Sequence, residues 1–464
     1  MGDVSWPRRG DSRESGRRRP RPVLEDPRGS DDSRRSHWRG SCCGSSRVPR
    51  VGSDQRVQCR CGRCAPLRLR STTGVAGVEN FSDGTTRHNW SSWSTWECPV
   101  SRVAILTRHC YPNYGSLLQA IALQQALVDS GADVRVVDYV PSSDSRFGLA
   151  AASLRESRMR NSALRSAAYL AVQGPNFAVM ASRFRGFQRK NLRLTKRVVA
   201  GADVRHITDD CERIVVGSDQ VWNAIHGALD ETYFLRTVPD ERKKYSYAAS
   251  FGSAVPTDDA ETKRLLGDFQ SVSVRETSAM PTLAGYDIDV RRDVDPVLLH
   301  GREFWAEFAS RTAPLSDEPY VLAYQLHNTA DFGRRAAELS RRTGLPIRRV
   351  NVDFKRLAKA PSRNHYLVPP QDFVGLFRDA QSVITDSFHG LSFSLMFGRP
   401  VFPILPDKGA ARLTDLLDSV GLAHLAVAGS DDLPRSGDYD AEAVRAALES
   451  LAADSWAYVR DLAS

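Results

Sequence analysis

The chain of 464 residues is 41% hydrophobic and 26% charged, which is sufficient for two ordinary domain cores. Its formal charge of +9 comes almost entirely from residues 1–100, which hold 19 Arg and no Lys. Residues 101–464 are nearly neutral, which argues against specific nucleic-acid binding. No segment offers the ~20 uninterrupted apolar residues that a membrane-spanning helix requires.

Residues 1–100 are rich in Arg, Gly, Ser and Pro and have few periodic apolar positions, so we expect a disordered leader. Cys61 and Cys64 have the spacing of half a zinc knuckle, but no second pair follows at the usual distance, and no metal site is predicted. The absence of Lys beside 19 Arg leaves open that the leader is translated from sequence upstream of the true start.

From Arg102 onward, apolar runs alternate with helical periodicity, which is typical of βαβ units. A buried strand at Val103–Leu106, a helix over 117–128 and a parallel strand at Val134–Val137 are predicted first. Residues from about 141 to 199 are helical and Arg-rich, and we expect an insertion or lid. Within them, Leu164 to Ala181 is interrupted by Arg165 and Pro175, which favours a helix packed on the domain and leaves peripheral membrane contact open.

Three further predicted strands complete a first domain over residues 101–300. Ile214–Val216 precedes the turn Gly217–Gln220, Tyr245–Phe251 alternates in polarity, and Val272–Val274 ends at Arg275. Residues 301–318 are predicted to be a helical linker. Residues 319–464 repeat the alternation, so the predicted fold class is α/β, with two Rossmann-like doubly wound domains facing across a cleft.

The run from Ser382 to Phe402 predicts a strand, a turn and a helix, with Ser387 as the helix cap. Ligands bind outside the carboxyl ends of parallel strands, and helix starts attract anions. Ser387, His389 and Gly390 are therefore candidates for contact with a phosphate or carboxylate. A histidine that is hydrogen-bonded inside the turn is the alternative.

Other polar residues follow predicted strands in the first domain. Asp219 is a candidate base or hydrogen-bond partner for a ligand hydroxyl, or else the cap of a helix containing Trp222. Trp222 is either an aromatic stacking face or part of the core. The neutral candidates are Ser218 and Gln220 for polar contacts with a ligand, and Asn113, Gly115 and Ser116 for an anionic group.

Five short motifs occur in a fixed order along the chain. They are Asn113-Tyr-Gly with Leu118-Gln-Ala, Val216-Gly-Ser-Asp-Gln-Val-Trp222, Ser273-Val-Arg-Glu276, Asp295-Pro296 and Thr385-Asp-Ser-Phe-His-Gly390. From Arg102 to about Leu417 the chain resembles the polysaccharide pyruvyl transferase family. The resemblance implies two halves arranged as in GT-B glycosyltransferases, and transfer of the pyruvyl group of phosphoenolpyruvate onto a hydroxyl pair of a glycan or lipid-linked sugar as a ketal. It implies no cofactor beyond this donor. For such a reaction, Asp219 becomes a candidate base or hydrogen-bond partner for the acceptor hydroxyl, and the candidate acceptor contacts are Ser218, Gln220 and the ring of Trp222.

Two donor-binding residues of that family match positions in this sequence. The resemblance implies that His389 contacts the donor, as proton donor or phosphate ligand, and that Arg275 grips its carboxylate or phosphate. Ser387 stands where better characterised members carry Arg. Two alternative functions remain. One is a GT-B-type glycosyltransferase that uses a nucleotide sugar, and the other is a non-catalytic ligand-binding relative.

Cys110 and Cys211 need no disulfide, so we expect a cytoplasmic location, with the inner face of the membrane left open.

Overall fold

The computed structural model describes residues 100–199, 204–223, 229–252, 259–327, 329, 331–352, 364–407, 409–429 and 431–464. The predicted leader, apart from Val100, lies outside the described residues. We call residues 101–300 the first lobe and residues 319–464 the second lobe. None of the described helices is long and apolar enough to cross a membrane.

Six parallel strands form the sheet of the first lobe, in the order β2-β1-β5-β6-β7-β8. These strands are β1 (Arg102–Leu106), β2 (Asp133–Val136), β5 (Arg213–Asp219), β6 (Lys244–Ala249), β7 (Val272–Val274) and β8 (Val290–Arg292). Two short strands, β3 (Tyr139–Val140) and β4 (Val198–Val199), pair separately. The helices are α1 (Tyr114–Asp129), α2 (Arg146–Glu156), α3 (Ala163–Asn191), α4 (Arg205–Thr208), α5 (Ala260–Gly267) and α6 (Met280–Ala284). Near-continuous apolar runs such as β1 suit a parallel sheet that is covered on both faces.

Helices α2 and α3 occupy most of the predicted insertion. One face of α3 is buried through Gln173, Met180, Phe184 and Gln188. The helix is also fixed by Asp138, whose carboxylate accepts hydrogen bonds from both terminal nitrogens of Arg185, at 2.6 and 2.8 Å. Burial raises the pKa of Asp138, but His109, Arg185 and Arg197 lower it to about 2. The insertion is thus held to the sheet by a buried carboxylate.

Five parallel strands form the sheet of the second lobe, in the order β11-β10-β9-β12-β13. They are β9 (Val321–Tyr324), β10 (Ile347–Asn351), β11 (Asn364–Tyr366), β12 (Ser382–Thr385) and β13 (Val401–Pro403). The remaining helices are α7 (Arg302–Ser310), α8 (Phe332–Thr343), α9 (Pro370–Asp379), α10 (Phe388–Met396), α11 (Ala411–Ser419) and α12 (Ala441–Leu462).

Helices α1 and α12 join the two lobes. The Tyr114 ring of α1 stacks on Phe373 with 4.3 Å between centroids, and its hydroxyl donates to the Val368 carbonyl at 2.8 Å. Helix α12 belongs to the range predicted as the second domain, and its Tyr458 hydroxyl donates to the carbonyl of Ser246 in β6 at 3.0 Å. Helix α12 therefore also contacts the first lobe.

In each sheet, the second strand along the chain lies on one side of the first strand, and a later strand lies on its other side. In the first lobe β2 and β5 flank β1, and in the second lobe β10 and β12 flank β9. Such reversals of strand order open a crevice at the carboxyl ends of the strands, where ligands bind in doubly wound folds. The predicted fold class, two Rossmann-like domains facing across a cleft, is confirmed.

Candidate active site

A cavity of about 570 Å³ lies between the two lobes, at the reversal point of both sheets. The first lobe contributes the segments that follow β1 and β5, and the second lobe contributes those that follow β9 and β12. Six predicted site residues line it: Asn113, Ser116, Asp219, Gln220, Ser387 and His389. The loops that the sequence singled out separately therefore meet in one place.

Two helices from opposite lobes begin at this cavity. Asn113 caps α1 by accepting the backbone N–H of Gly115 at 2.7 Å. Ser387 caps α10 by accepting the backbone N–H of Gly390 at 3.3 Å. The N-terminal end of a helix carries a partial positive charge, so the two ends together favour an anion between them.

The imidazole of His389 lies directly against the first turn of α1. A Cβ atom placed on Gly115 would sit 2.1 Å from His389 Nδ1, well inside van der Waals contact. Glycine is therefore required at position 115 for the two lobes to approach this closely. Gly390 has a similar role within the second lobe, because a Cβ there would meet the Thr385 hydroxyl at 2.3 Å.

Asp295 joins the two predicted donor-binding residues. Its Oδ2 accepts a hydrogen bond from Arg275 Nη1 at 2.6 Å and lies 3.6 Å from His389 Nε2. Burial raises the pKa of Asp295, but the charges of His389 and Arg275 and hydrogen bonds to it hold that pKa well below its usual range. Arg275 Nε and Nη2 and His389 Nε2 are buried and make no hydrogen bond to any described residue. His389 borders the cavity, whereas Arg275 is 6% exposed and does not line it.

Asp219 occupies the end of β5 with a left-handed φ of 72°, which Asp tolerates better than most residues. It accepts a hydrogen bond from Ser116 Oγ at 2.5 Å, and its Oδ1 lies 3.9 Å from Arg275 Nη2. Burial raises the pKa of Asp219, but Arg275, the Ser116 hydroxyl and His389 together lower it below the ordinary value. The carboxylate is therefore ionised at neutral pH. Residues 220–222 form a turn, so the alternative of a helix cap at Asp219 is wrong.

Arg412 is a site residue that the sequence analysis missed. It lies on α11 and lines the cavity on the side of the second lobe. Burial and the neighbouring charge of Arg275 lower the pKa of Arg412, while Asp219 opposes the shift. Its guanidinium makes no hydrogen bond or ion pair with the described part of the chain. The second lobe thus supplies a cation to the cavity although position 387 is Ser.

Two predicted acceptor contacts do not lie in the cavity. Trp222 is 1% exposed, stacks on Phe234 and donates its indole N–H to the Tyr233 carbonyl, so no ring face is left for a sugar. Ser218 is fully buried because β5 continues through it, and its hydroxyl donates to the carbonyl of Ala248. The prediction that these two residues bind the acceptor is wrong.

Asp386 holds a loop at the rim of the cavity. Its carboxylate accepts the backbone N–H groups of Leu326 at 2.7 Å and His327 at 3.1 Å, which fixes the loop after β9 at the rim of the cavity. Among the described residues, no group of three or more His, Cys, Asp or Glu side chains is placed to hold a metal ion.

These features define a two-lobed α/β protein with a candidate site between Rossmann-like domains, where two helix N-termini and Arg412 meet. The sequence profile of the polysaccharide pyruvyl transferase family matches residues 113–408, more than half of the chain, and the chain belongs to that family. The resemblance drawn from the five motifs is confirmed.

Solved structures give only distant likenesses. The UDP-GlcNAc 2-epimerase of Methanocaldococcus jannaschii is 12% identical with a TM-score of 0.38, covering 76% of this chain and 93% of its own. The glycosyltransferase SnogD of Streptomyces nogalater is 14% identical with a TM-score of 0.38, covering 79% and 100%. The ADP-heptose LPS heptosyltransferase II of E. coli is 12% identical with a TM-score of 0.31, covering 76% and 99%. No curated protein matches this sequence.

Proposed function

We propose that the protein transfers the pyruvyl group of phosphoenolpyruvate onto a pair of sugar hydroxyls in a glycan or lipid-linked glycan precursor. One observation carries this proposal: His389 and Arg412 line a single cavity between the lobes together with two helix N-termini, and Arg275 lies behind them, linked to His389 through Asp295. A small ligand with both a phosphate and a carboxylate suits this set of cations and amides.

The donor contacts divide between the lobes. Arg412 faces the cavity without a protein partner, so it is our candidate for the phosphate. Arg275 is held by Asp295 through Nη1 and lies behind the cavity wall, so we assign it to attracting the carboxylate and stabilising charge from there. The fixed geometry of the guanidinium suits either anion better than a Lys would.

The reaction needs one proton delivered to the donor and one removed from each acceptor hydroxyl. His389 gives a proton to the methylene carbon of phosphoenolpyruvate, and positive charge develops at the neighbouring carbon. A first sugar hydroxyl adds to that carbon, and its proton returns to His389. A second hydroxyl then displaces the phosphate and closes the ketal, and the proton of that hydroxyl leaves with the inorganic phosphate. Asp295 stabilises the protonated imidazole before transfer.

Asp219 is placed to receive the acceptor. Its low pKa makes it a weak base, so we assign it mainly to hydrogen bonding with an attacking hydroxyl, beside Ser116 and Gln220. Tyr111 also lines the cavity, with the Arg108 guanidinium 5.1 Å from the centre of its ring. Cys110 and Cys211 are free thiols, in keeping with a cytoplasmic reaction.

Phosphate release tests the proposal. The wild-type protein, incubated with phosphoenolpyruvate and a panel of glycan acceptors, is expected to release inorganic phosphate only when an acceptor is present. His389→Ala should abolish release, whereas His424→Ala, at an exposed histidine of the second lobe, should not. Near-normal turnover by His389→Ala would remove His389 from the mechanism. Thermal stabilisation by nucleotide sugars and not by phosphoenolpyruvate would favour glycosyl transfer instead.

A further inference from the structure

The outward face of α3 combines exposed apolar side chains with cations. Leu164, Val172 and Val179 are 81%, 71% and 49% exposed. At 3.6 residues per turn these three positions lie within about a third of the helix circumference. The same sector carries exposed basic residues at positions Arg165, Arg183, Arg189 and Lys190. We call these seven residues the basic-apolar face.

The charge of the insertion differs from that of the rest of the protein. Residues 141–199 hold 12 Arg and Lys against 2 Asp and Glu, a net charge of +10. Residues 101–464 hold 45 basic and 44 acidic residues, so the remainder of that range carries about −9. Arg165, Arg183, Arg189 and Lys190 form no ion pair with the described part of the chain. Their charge is therefore available to an external partner.

The opposite face of the same helix lines the candidate active site. Gln173, Asn176, Phe177 and Met180 of α3 form part of the cavity wall. Since a helix with its side chains is about 10 Å across, the basic-apolar face lies only that far from the cavity.

We propose that the basic-apolar face docks on the surface of an anionic lipid bilayer. Its apolar side chains enter the boundary between headgroups and acyl chains, and its cations meet anionic headgroups. A soluble polyanion would use the cations but would gain nothing from exposed Leu164, Val172 and Val179. This docking is independent of the reaction proposed above, and it would hold the cavity within reach of a sugar attached to a membrane lipid.

Co-sedimentation of the full-length chain with extruded vesicles tests the docking. Binding is expected to vesicles of phosphatidylcholine with about 30% phosphatidylglycerol, to weaken as salt rises, and to be absent with phosphatidylcholine alone. The uncharged double variant Val172→Ser/Val179→Ser should partition about tenfold more weakly. The matched control Val100→Ser/Leu315→Ser, at residues 54% and 36% exposed elsewhere, should bind like the wild type.

A second pair of variants addresses charge. Arg183→Gln/Lys190→Gln should weaken binding about thirtyfold, whereas Arg341→Gln/Arg435→Gln, at exposed sites on the second lobe, should not. Unchanged melting temperatures would show that all four variants fold. Vesicle binding that survives in both α3 variants would assign the interaction to the Arg-rich leader and overturn the proposal. A loss confined to Arg183→Gln/Lys190→Gln would show electrostatic adsorption without insertion of the apolar side chains and would also overturn it.

Discussion

Gly115→Ala tests the contact between the lobes on which the site depends. The added Cβ would lie 2.1 Å from His389 Nδ1 and 2.4 Å from Cε1, where ordinary contact begins near 3.4 Å. The imidazole and the first turn of α1 must therefore separate by about 1.3 Å. Overpacking of this kind costs about 1–3 kcal/mol of unfolding free energy, and a displacement of about 1 Å at a reacting group lowers turnover about 100-fold.

Urea unfolding and phosphate release measure the two effects independently. Gly333→Ala is the matched control, because this glycine of α8 has no atom within 4 Å of an added Cβ. In a His389→Ala background the imidazole is absent, so Gly115→Ala should no longer destabilise the protein. An equal loss of stability with and without His389 would show that the clash is elsewhere and would refute the reasoning.

Two further predictions concern charges at the site. Arg412→Ala should raise the dissociation constant of phosphoenolpyruvate, measured by calorimetry, by at least about tenfold. The variant should not be less stable than the wild type, because burial and the charge of Arg275 already disfavour the charged form of Arg412. The control Arg341→Ala should leave the affinity unchanged, and unchanged affinity in Arg412→Ala would exclude Arg412 as a ligand of the donor. Asp295→Asn should lower the unfolding free energy at pH 7 by about 3 kcal/mol, because Arg275 loses a buried partner. The pKa of Asp295 is lower in the folded protein than in the unfolded chain. The wild type therefore keeps the stabilisation from ionised Asp295 above about pH 4 and loses it as the pH falls further. Urea titrations from pH 2 to 7 should show that the unfolding free energy of the variant falls less steeply with decreasing pH than that of the wild type.

Local sequence pattern was sufficient to find most of the site because its residues directly follow buried strands. The segments after Leu106, Val216 and Thr385 were each identified by an apolar run that ends in polar residues, and the structure brings all three to one cavity. Parallel strands place their carboxyl ends at one edge of the sheet, so polar residues that directly follow several strands predict a shared site.

Contacts between distant residues could not be found in this way. Asp295 follows no long apolar run, and its role depends on Arg275 and His389, 20 and 94 positions away. Arg412 lies on an amphipathic helix beside buried Leu413 and Leu416, where a solvent-facing Arg is the ordinary expectation. Its place in the cavity depends on the first lobe, which supplies the opposite wall.

The errors at Ser218 and Trp222 have one cause. The predicted strand ended at Val216, but β5 extends to Asp219, so Ser218 points into the sheet. Beyond it the chain turns at Asp219 without forming a helix, and Trp222 enters the apolar core with Phe234 and Phe251. The glycine at position 217 concealed the continuation of the strand, since glycine is unusual within strands.

The central claim is that one small anionic donor binds between residues of both lobes. A crystal structure of the protein with phosphoenolpyruvate tests it most directly. We expect the phosphate within hydrogen-bond distance of Arg412, the carboxylate near Arg275, and the methylene carbon facing His389 Nε2. Phosphoenolpyruvate bound outside the cavity, or contacting one lobe alone, would contradict the account.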